Sequence, residues 1–185
     1  FADQTEIVFV DDGSTDPTFE IACAFRQNDL PQLRAVTLRH NGGCARATNI
    51  GASIAHGDYF YIASANDVMQ PLAIQSIFEA IETYAPVQGE MPEKQIGLIV
   101  GDVAGIHLGW GADADGEEVG PRFISASQIA NWFGGASGII HAAGVVISRL
   151  AWGKHGGWDP AWWPYSETLT WHTVACRYGV IYTPN

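Results

Sequence analysis

The sequence predicts a mixed α/β fold in which a mostly parallel, Rossmann-like sheet is flanked by helices. Residues 7–10 read Ile-Val-Phe-Val, and such an uninterrupted apolar run is typical of a strand buried in a parallel sheet. Short apolar runs then alternate with helical patterns through residue 83, which implies right-handed strand–helix–strand crossovers. The 185 residues are 47% hydrophobic and 16% charged, a composition typical of a globular domain with a sizeable core.

The elements of the first half follow from apolar runs and from the residues that break them. The first strand stops at Asp11, and Pro17 stands where a helix would begin. Four apolar residues of the third helix recur at i, i+3, i+4 and i+7 and so share one face: Ile74, Ile77, Phe78 and Ile81. In chain order we predict strand 6–10, helix 17–27, strand 34–39, helix 43–55, strand 59–63 and helix 72–83.

The second half begins after a linker at 84–95 that carries Pro and Glu. Residues 109–121 hold glycines and acids without any period, so we predict a solvent-exposed loop there rather than a calcium site. Ser125 or Ser127 would cap the next helix. The remaining predicted elements are strand 96–100, helix 125–133, strand 142–148, a short helix at 149–155, helix 167–178 and strand 179–183.

Charge and cysteine content limit the partners. The formal net charge is −11, with nine Lys and Arg against 20 Asp and Glu, which argues against a nucleic-acid partner. The apolar runs are far shorter than a membrane-spanning helix requires, so we expect no transmembrane segment in this chain. Three cysteines, without metal-binding spacing, are expected to be buried free thiols in a reducing, cytoplasmic compartment: Cys23, Cys44 and Cys176.

The turn after the first strand is the most informative segment. Asp11 and Asp12 stand at the carboxyl end of that strand, where open α/β sheets bind their ligands. A carboxylate there can accept hydrogen bonds from a base N–H or from ribose hydroxyls. The same residues also fit a surface turn in which Asp side chains only cap the next helix. Gly42-Gly43 before helix 43–55 offers a helix N-terminus, but the segment matches neither the G-x-G-x-x-G pattern nor the Walker pattern.

Five motifs, in this order and spacing, resemble the family 2 glycosyltransferases of the GT-A fold, within the nucleotide-diphospho-sugar transferase superfamily. That family typically shows VDDGSTD, N-x-G…A-x-N-x-G…A-x-G-(D/E)-Y, D-x-D-D-x-x-x-P, GGFDE and YGEDVDL…R…G…YVP. The corresponding segments here are VDDGSTD (10–16), NGGCARATNIGASIAHGDY (41–59), YIASANDVMQP (61–71), GGWDPAWW (156–163) and YSETLTWHTVACRYGVIYTP (165–184).

The resemblance implies an enzyme of polysaccharide biosynthesis that moves a sugar from a nucleoside-diphosphate sugar to a hydroxyl of a carbohydrate or lipid-linked acceptor, with inversion. It implies a single GT-A domain over 1–185, with a nucleotide-binding half at 1–83 and an acceptor-binding half at 96–185. One more strand and helix precede VDDGSTD in the family, so we expect this fragment to lack its first strand. The protein would work in the cytoplasm, at the inner membrane face through regions outside this chain.

The resemblance also assigns donor and metal residues. The nucleotide-sugar ligands would be Asp11, Asp12, Asn49, Ser64 and Ala65. In the family the D-x-D loop binds Mn²⁺ or Mg²⁺, but here Ser64 and Asn66 replace its two acids. We expect Asn66 and Asp67 to hold Mn²⁺ or Mg²⁺ weakly, because an amide oxygen is a neutral ligand. The alternative is that this loop binds no metal on its own.

Glu167 aligns with the Glu of the family's E-D pair, and Thr168 replaces the Asp. We predict that Glu167 is the general base, although a Glu in a first helical turn also stabilises the helix dipole. Trp162 and Trp163 are predicted to bind the acceptor, because aromatic faces stack on sugar rings, whereas core packing is the usual role of Trp. Two other tryptophans are expected to be buried: Trp158 and Trp171.

Two other functions are compatible with the sequence. The altered D-x-D and E-D motifs fit a degenerate, non-catalytic member that only binds a nucleotide-sugar. The strand–helix pattern also fits a nucleotidyltransferase-like enzyme, which would carry a Gly-rich loop with Arg or Lys at its first strand. Metal-dependent hydrolysis of a nucleotide-sugar separates the catalytic family member from the degenerate one.

Overall fold

The computed structural model describes residues 2–64, 67–84, 96–101, 120–135, 140 and 142–183. Its strands are β1 (Ile7–Asp11), β2 (Leu33–Thr37), β3 (Tyr59–Tyr61), β4 (Leu98–Gly101), β5 (Arg122–Ile124), β6 (Val145–Ser148) and β7 (Val180–Thr183). Its α-helices are α1 (Thr18–Asn28), α2 (Cys44–Ile54), α3 (Ala73–Tyr84), α4 (Ala126–Gly135), α5 (Arg149–His155) and α6 (Ser166–Tyr178). Short 3₁₀ turns cover Ala2–Gln4, Ala142–Gly144 and Pro160–Trp162.

The chain folds into two compact units. The first unit comprises Phe1–Asp58 together with Gly156–Ser166, and the second comprises Tyr59–His155 and Glu167–Asn185. These units are defined by packing. The predicted nucleotide-binding half at 1–83 and acceptor-binding half at 96–185 are defined by the ligands they would bind, so that division stays a prediction.

In the first unit, β1 pairs in parallel with β2, from Ile7 opposite Leu33 to Asp11 opposite Thr37. Helix α1 makes the crossover between them, as the sequence predicts. Helix α2 packs against β1 at a glycine, because a Cβ on Gly51 would lie only 3.3 Å from Cγ2 of Val10. This close approach brings the last turns of α2 next to Val10, one residue before the end of β1.

The second unit contains a five-stranded sheet in the order β3-β6-β4-β7-β5. Among the described strands of this sheet, only β4 and β7 pair in parallel, whereas β3–β6, β4–β6 and β5–β7 are antiparallel. The predicted mostly parallel sheet is therefore corrected to a mixed sheet in this unit. The physical reason is that a continuous apolar run reports burial on both faces of a strand and carries no information about its direction.

All residues of β4, β6 and β7 are buried, as their apolar runs predict. Helix α3 packs against β4 and β7 through Ile77 and Ile81. In α6, the residues Trp171, Val174 and Ala175 are each at most 1% exposed. Burial of one large apolar side chain contributes about 1.5–3 kcal/mol, so this sheet accounts for much of the stability of the unit. The predicted burial of Trp158 and Trp171 is confirmed, at 3% and 1% exposure.

Most element boundaries agree with the sequence within two residues. Strand 142–148 is shorter than predicted, because Ala142–Gly144 forms a 3₁₀ turn and the strand begins at Val145. Strand β5 at Arg122–Ile124 was not predicted, since three residues are too few to show a period. The predicted acidic loop at 109–121 falls outside the described residues except for its last two. Among the described helices, none is long and apolar enough to cross a membrane.

Candidate active site

Asp11 ends β1 and is 3% exposed. The Ser14 backbone N–H donates to its Oδ1 (3.1 Å), and the Thr37 hydroxyl on β2 donates to its Oδ2 (2.6 Å). Hydrogen bonds from Ser14 and Thr37 hold the pKa of the Asp11 carboxyl below its usual range. Because each carboxylate oxygen has a second lone pair, the ionised group can still accept a hydrogen bond from a ligand at the strand end.

Asp12 is half-buried and fastens the turn to the start of α2. The backbone N–H of Gly42 donates to Oδ1 of Asp12 (2.9 Å), and that of Gly43, the N-cap of α2, donates to Oδ2 (2.7 Å). A helix N-terminus with free amides attracts anions. Here the Asp12 carboxylate occupies the position that an anionic ligand would take, because the amides of Gly42 and Gly43 donate to it. The exposed Arg46 side chain lies over Gly42, where an added Cβ would be 2.6 Å from its Nη1.

Gly13 allows the two loops to approach this closely. Its φ is +75°, and a Cβ at this position would lie 2.9 Å from both the Asn41 nitrogen and the His40 carbonyl carbon. Only glycine adopts this conformation readily, and only glycine leaves room for the neighbouring backbone. The Asp-Asp-Gly turn and residues 40–43 are therefore closely packed against each other beside the two carboxylates.

We predict that Gly13→Ala lowers the free energy of unfolding by more than Gly43→Ala. Gly43 also has a positive φ, of +86°, but a Cβ there would have no neighbour within 4 Å. Both variants carry a conformational cost on the order of 1–3 kcal/mol, at Gly43 because its φ of 86° and ψ of 158° lie in a region that is essentially restricted to glycine. Only Gly13→Ala adds a backbone clash. Urea denaturation of the two variants measures the difference. Equal destabilisation would contradict the close approach of Gly13 to His40 and Asn41.

Asn49 lies on α2 and binds the backbone of a residue far along the chain. Its Nδ2 donates to the Trp158 carbonyl oxygen (2.7 Å), and its Oδ1 accepts from the Trp158 N–H (2.9 Å). Both polar groups of this side chain are thus engaged inside the first unit. The sequence assigns Asn49 to the nucleotide-sugar; the structure brings it to Trp158, and its contact with the donor stays a prediction.

Gly156–Ser166, which we call the aromatic segment, presents three large aromatic side chains to solvent. Its Asp159 side chain accepts from the Ala161 N–H (2.9 Å) and starts the 3₁₀ turn, and the Ser166 hydroxyl donates to the Asp159 carbonyl. Trp162 and Trp163 are 60% and 58% exposed, which fits the predicted acceptor role. Tyr165, 67% exposed, was not predicted, although it follows the Trp-Trp-Pro run directly.

In the second unit, the predicted metal loop is described at Ser64 and Asp67, whereas Ala65 and Asn66 lie outside the described residues. Asp67 is exposed, and its N–H donates to the Ser64 carbonyl (3.1 Å). Burial raises the pKa of Tyr61, and the nearby charge of Asp67 adds to this effect. Within the described part of the chain, no three His, Cys, Asp or Glu side chains gather to hold a metal ion. Asp67 supplies one hard oxygen ligand, which fits weak binding of Mg²⁺ or Mn²⁺.

Glu167 occupies the first turn of α6 and is half-buried. Its Oε1 accepts a hydrogen bond from the indole Nε1 of Trp171 one turn later, at 3.3 Å. Trp171 is almost fully buried, so it fixes the direction of the Glu167 side chain. A fixed carboxylate with remaining lone pairs has the chemistry that a general base requires.

The chain is similar in sequence to known glycosyltransferases. The sequence model described as "Glycosyl transferase family 2" matches residues 1–98. "Glycosyltransferase GlyG" of Streptococcus pneumoniae serotype 4 is 32% identical over 97 residues, which are 52% of this chain and 29% of that protein. The chain therefore spans less than a third of the length of this curated relative.

Two solved proteins share the fold over the whole chain. S. aureus TarS, whose residues 1–349 were also solved in complex with UDP, superposes with a TM-score of 0.71, 14% identity and coverage of 30% of that chain. A mannosyltransferase from Pyrobaculum calidifontis, in complex with GDP-Man and Mn²⁺, gives a TM-score of 0.65, 19% identity and 47% coverage. At these identities the likeness concerns the fold alone, and it confirms the predicted GT-A-like α/β class. With the family match over more than half of its residues, the chain belongs to glycosyl transferase family 2.

Proposed function

We propose that this protein transfers a sugar from a nucleoside-diphosphate sugar to a hydroxyl group of an acceptor. The observation that carries the proposal is the hydrogen-bonded turn after β1, where an ionised Asp11 and a half-buried Asp12 stand together at the end of the strand. This is the edge at which open α/β sheets bind their ligands. Family membership favours glycosyl transfer over the nucleotidyl transfer that the strand–helix pattern also allows.

In the proposed reaction, Glu167 removes the proton from the acceptor hydroxyl as its oxygen attacks C1 of the donor sugar. The bond between C1 and the diphosphate oxygen breaks, and the nucleoside diphosphate leaves with the electron pair. Attack opposite to the leaving group inverts the configuration at C1. Asn66 and Asp67 are the residues that would hold Mn²⁺ or Mg²⁺, which neutralises the charge of the diphosphate when bound.

The aromatic segment is the proposed acceptor surface. Trp162, Trp163 and Tyr165 expose flat apolar faces that can stack on the C–H face of a sugar ring. A carbohydrate or the glycan of a lipid-linked acceptor presents such faces. The cytoplasm is part of the same proposal, because all three cysteines are free, as in a reducing compartment. The predicted burial of the cysteines is wrong, however, because Cys44 and Cys176 are exposed and Cys23 is only half-buried.

Donor screening tests the proposal. UDP and GDP are the first nucleotides to examine, since they occur in the solved complexes of the similar folds. We expect one of them to raise the melting temperature, and the matching nucleotide-sugar to release nucleoside diphosphate slowly in water. Binding without any release would favour the second candidate, a non-catalytic family member. That candidate is supported by Ser64, Asn66 and Thr168, which stand where the family usually has acidic residues. No stabilisation by any nucleotide would contradict both.

We predict that Asn66→Asp makes nucleotide binding more dependent on Mn²⁺. The wild-type loop has one charged ligand, Asp67, and a second carboxylate attracts a hard divalent cation more strongly than an amide oxygen does. Calorimetric titration of UDP or GDP with and without Mn²⁺ measures the difference, with Asp67→Asn as the variant of opposite charge change. If Mn²⁺ leaves nucleotide affinity unchanged in all three proteins, this loop is not a metal site.

A further inference from the structure

We infer that Asn49 is a positioning residue that holds the aromatic segment in place, and not a ligand of the donor. This inference rests on the proposed function only in taking the aromatic segment as the acceptor surface. Its basis is the pair of hydrogen bonds between the Asn49 side chain and the backbone of Trp158, at 2.7 and 2.9 Å. The two residues lie 109 positions apart in sequence.

The geometry of this contact is specific to asparagine. A primary amide presents one donor and one acceptor side by side, as a neighbouring strand would, and so satisfies the N–H and C=O of a single residue. Aspartate has the same shape but no donor, which would set two oxygens against each other at the Trp158 carbonyl. Glutamine is longer by one methylene. Leaving a partly buried backbone group unpaired costs more than the bond itself contributes.

The contact anchors the segment at its start. Trp158 is 3% exposed, and its backbone is bound to α2. The Ser166 hydroxyl, at the other end, bonds back to the Asp159 carbonyl. Between these two fixed points stand the exposed rings of Trp162, Trp163 and Tyr165, whose direction depends on both ends being held.

Helix α2 thereby contacts two parts of the proposed site. Its N-cap residue Gly43 donates to Asp12, and Asn49, six residues later and about 9 Å along the axis, binds Trp158. The nitrogen and the oxygen of the Asn49 amide each use one hydrogen-bonding position on the Trp158 backbone, which holds the side chain there. We therefore assign donor binding in the first unit to the carboxylates at the end of β1. The role of Asn49 is then to keep the aromatic segment ordered.

Hydrogen exchange and nucleotide binding together test this role. The variants are Asn49→Ala, Asn49→Asp and, as a control at an exposed position of the same helix, Ser53→Ala. We expect amide exchange of Trp158 and of the aromatic segment to rise about tenfold or more in both Asn49 variants. The affinity for UDP or GDP, whichever binds the wild type more tightly, should change by less than about twofold, because only ordering is lost. Ser53→Ala should alter neither quantity.

A tenfold loss of nucleotide affinity in Asn49→Asp, with or without a change in exchange, would overturn the inference and make Asn49 a donor ligand. An aromatic segment whose exchange does not change in either variant would overturn it as well. If Asn49→Ala does not fold, the anchoring role is tested with the isosteric Asn49→Asp and with the protection of the Trp158 amide in the wild type. Failure of UDP and GDP to bind the wild type refutes the proposed donor instead, while the exchange data still test the anchoring role.

Discussion

Glu167→Gln is expected to lower sugar transfer by about 10²-fold or more while leaving donor binding nearly intact, in line with the usual contribution of a general base. Glutamine keeps the shape of the side chain and an oxygen that can accept from the Trp171 indole, so α6 should remain folded. What it loses is the carboxylate that can take a proton. The measurement is turnover under saturating donor, together with donor affinity by calorimetry.

The control for this variant is Glu82→Gln, which makes the same chemical change at an exposed position of α3. It should leave turnover unchanged. Near-normal transfer by Glu167→Gln would show that the base lies elsewhere and that Glu167 serves only the first turn of α6. A loss of donor affinity equal to the loss of turnover would point to a binding role.

Asp11→Ala and Asp12→Ala are each expected to weaken nucleotide binding by about tenfold or more, as the loss of a hydrogen bond to a charged group usually does. Asp11→Ala removes the ionised carboxylate at the strand end and leaves the Ser14 N–H and the Thr37 hydroxyl without this partner. Asp12→Ala removes the carboxylate that accepts from the amides of Gly42 and Gly43, of which the Gly43 N–H keeps Oδ1 of Asn41 as a partner, and so loosens the start of α2. Both changes disturb the edge that is proposed to receive the nucleotide.

Asp16→Ala is the matched control for these two variants, since Asp16 belongs to the same turn but faces α1. It is exposed, and its Oδ1 accepts from the Thr18 N–H (3.1 Å) and from the Thr18 hydroxyl (2.5 Å). We expect a small loss of stability from this variant and no change in nucleotide affinity. Unchanged affinity in both Asp11→Ala and Asp12→Ala, measured by calorimetry with UDP and GDP, would contradict a donor site at this turn.

Local patterns predicted much of the fold. The run at 7–10 and the breakers after it give β1 and the following turn, and the apolar period of 72–83 gives α3, because both signals lie within one element. The direction of β6 relative to its neighbours is not encoded by a signal within one element. It depends on which strands the packing brings together, and for that reason the sheet of the second unit is mixed where a parallel one was expected.

The same distinction holds for the candidate site. The place of Asp11 at a strand end follows from adjacent residues, so the sequence predicts it. The partners of Asp12 lie 30 and 31 residues away, and the partner of Asn49 lies 109 away. No local pattern predicts such contacts. A motif assigns Asn49 to a ligand, whereas the fold shows that its amide holds another part of the chain.

The most direct test of the proposed function is release of nucleoside diphosphate from nucleotide-sugars by the purified protein in the presence of Mn²⁺. UDP- and GDP-sugars are incubated with the wild type, Glu167→Gln, Asp12→Ala and the control Glu82→Gln. The account predicts release with at least one donor by the wild type and Glu82→Gln, and a reduction of about 10²-fold or more in Glu167→Gln. Release that is equal in all four proteins, or absent from the wild type although the donor binds, would contradict it.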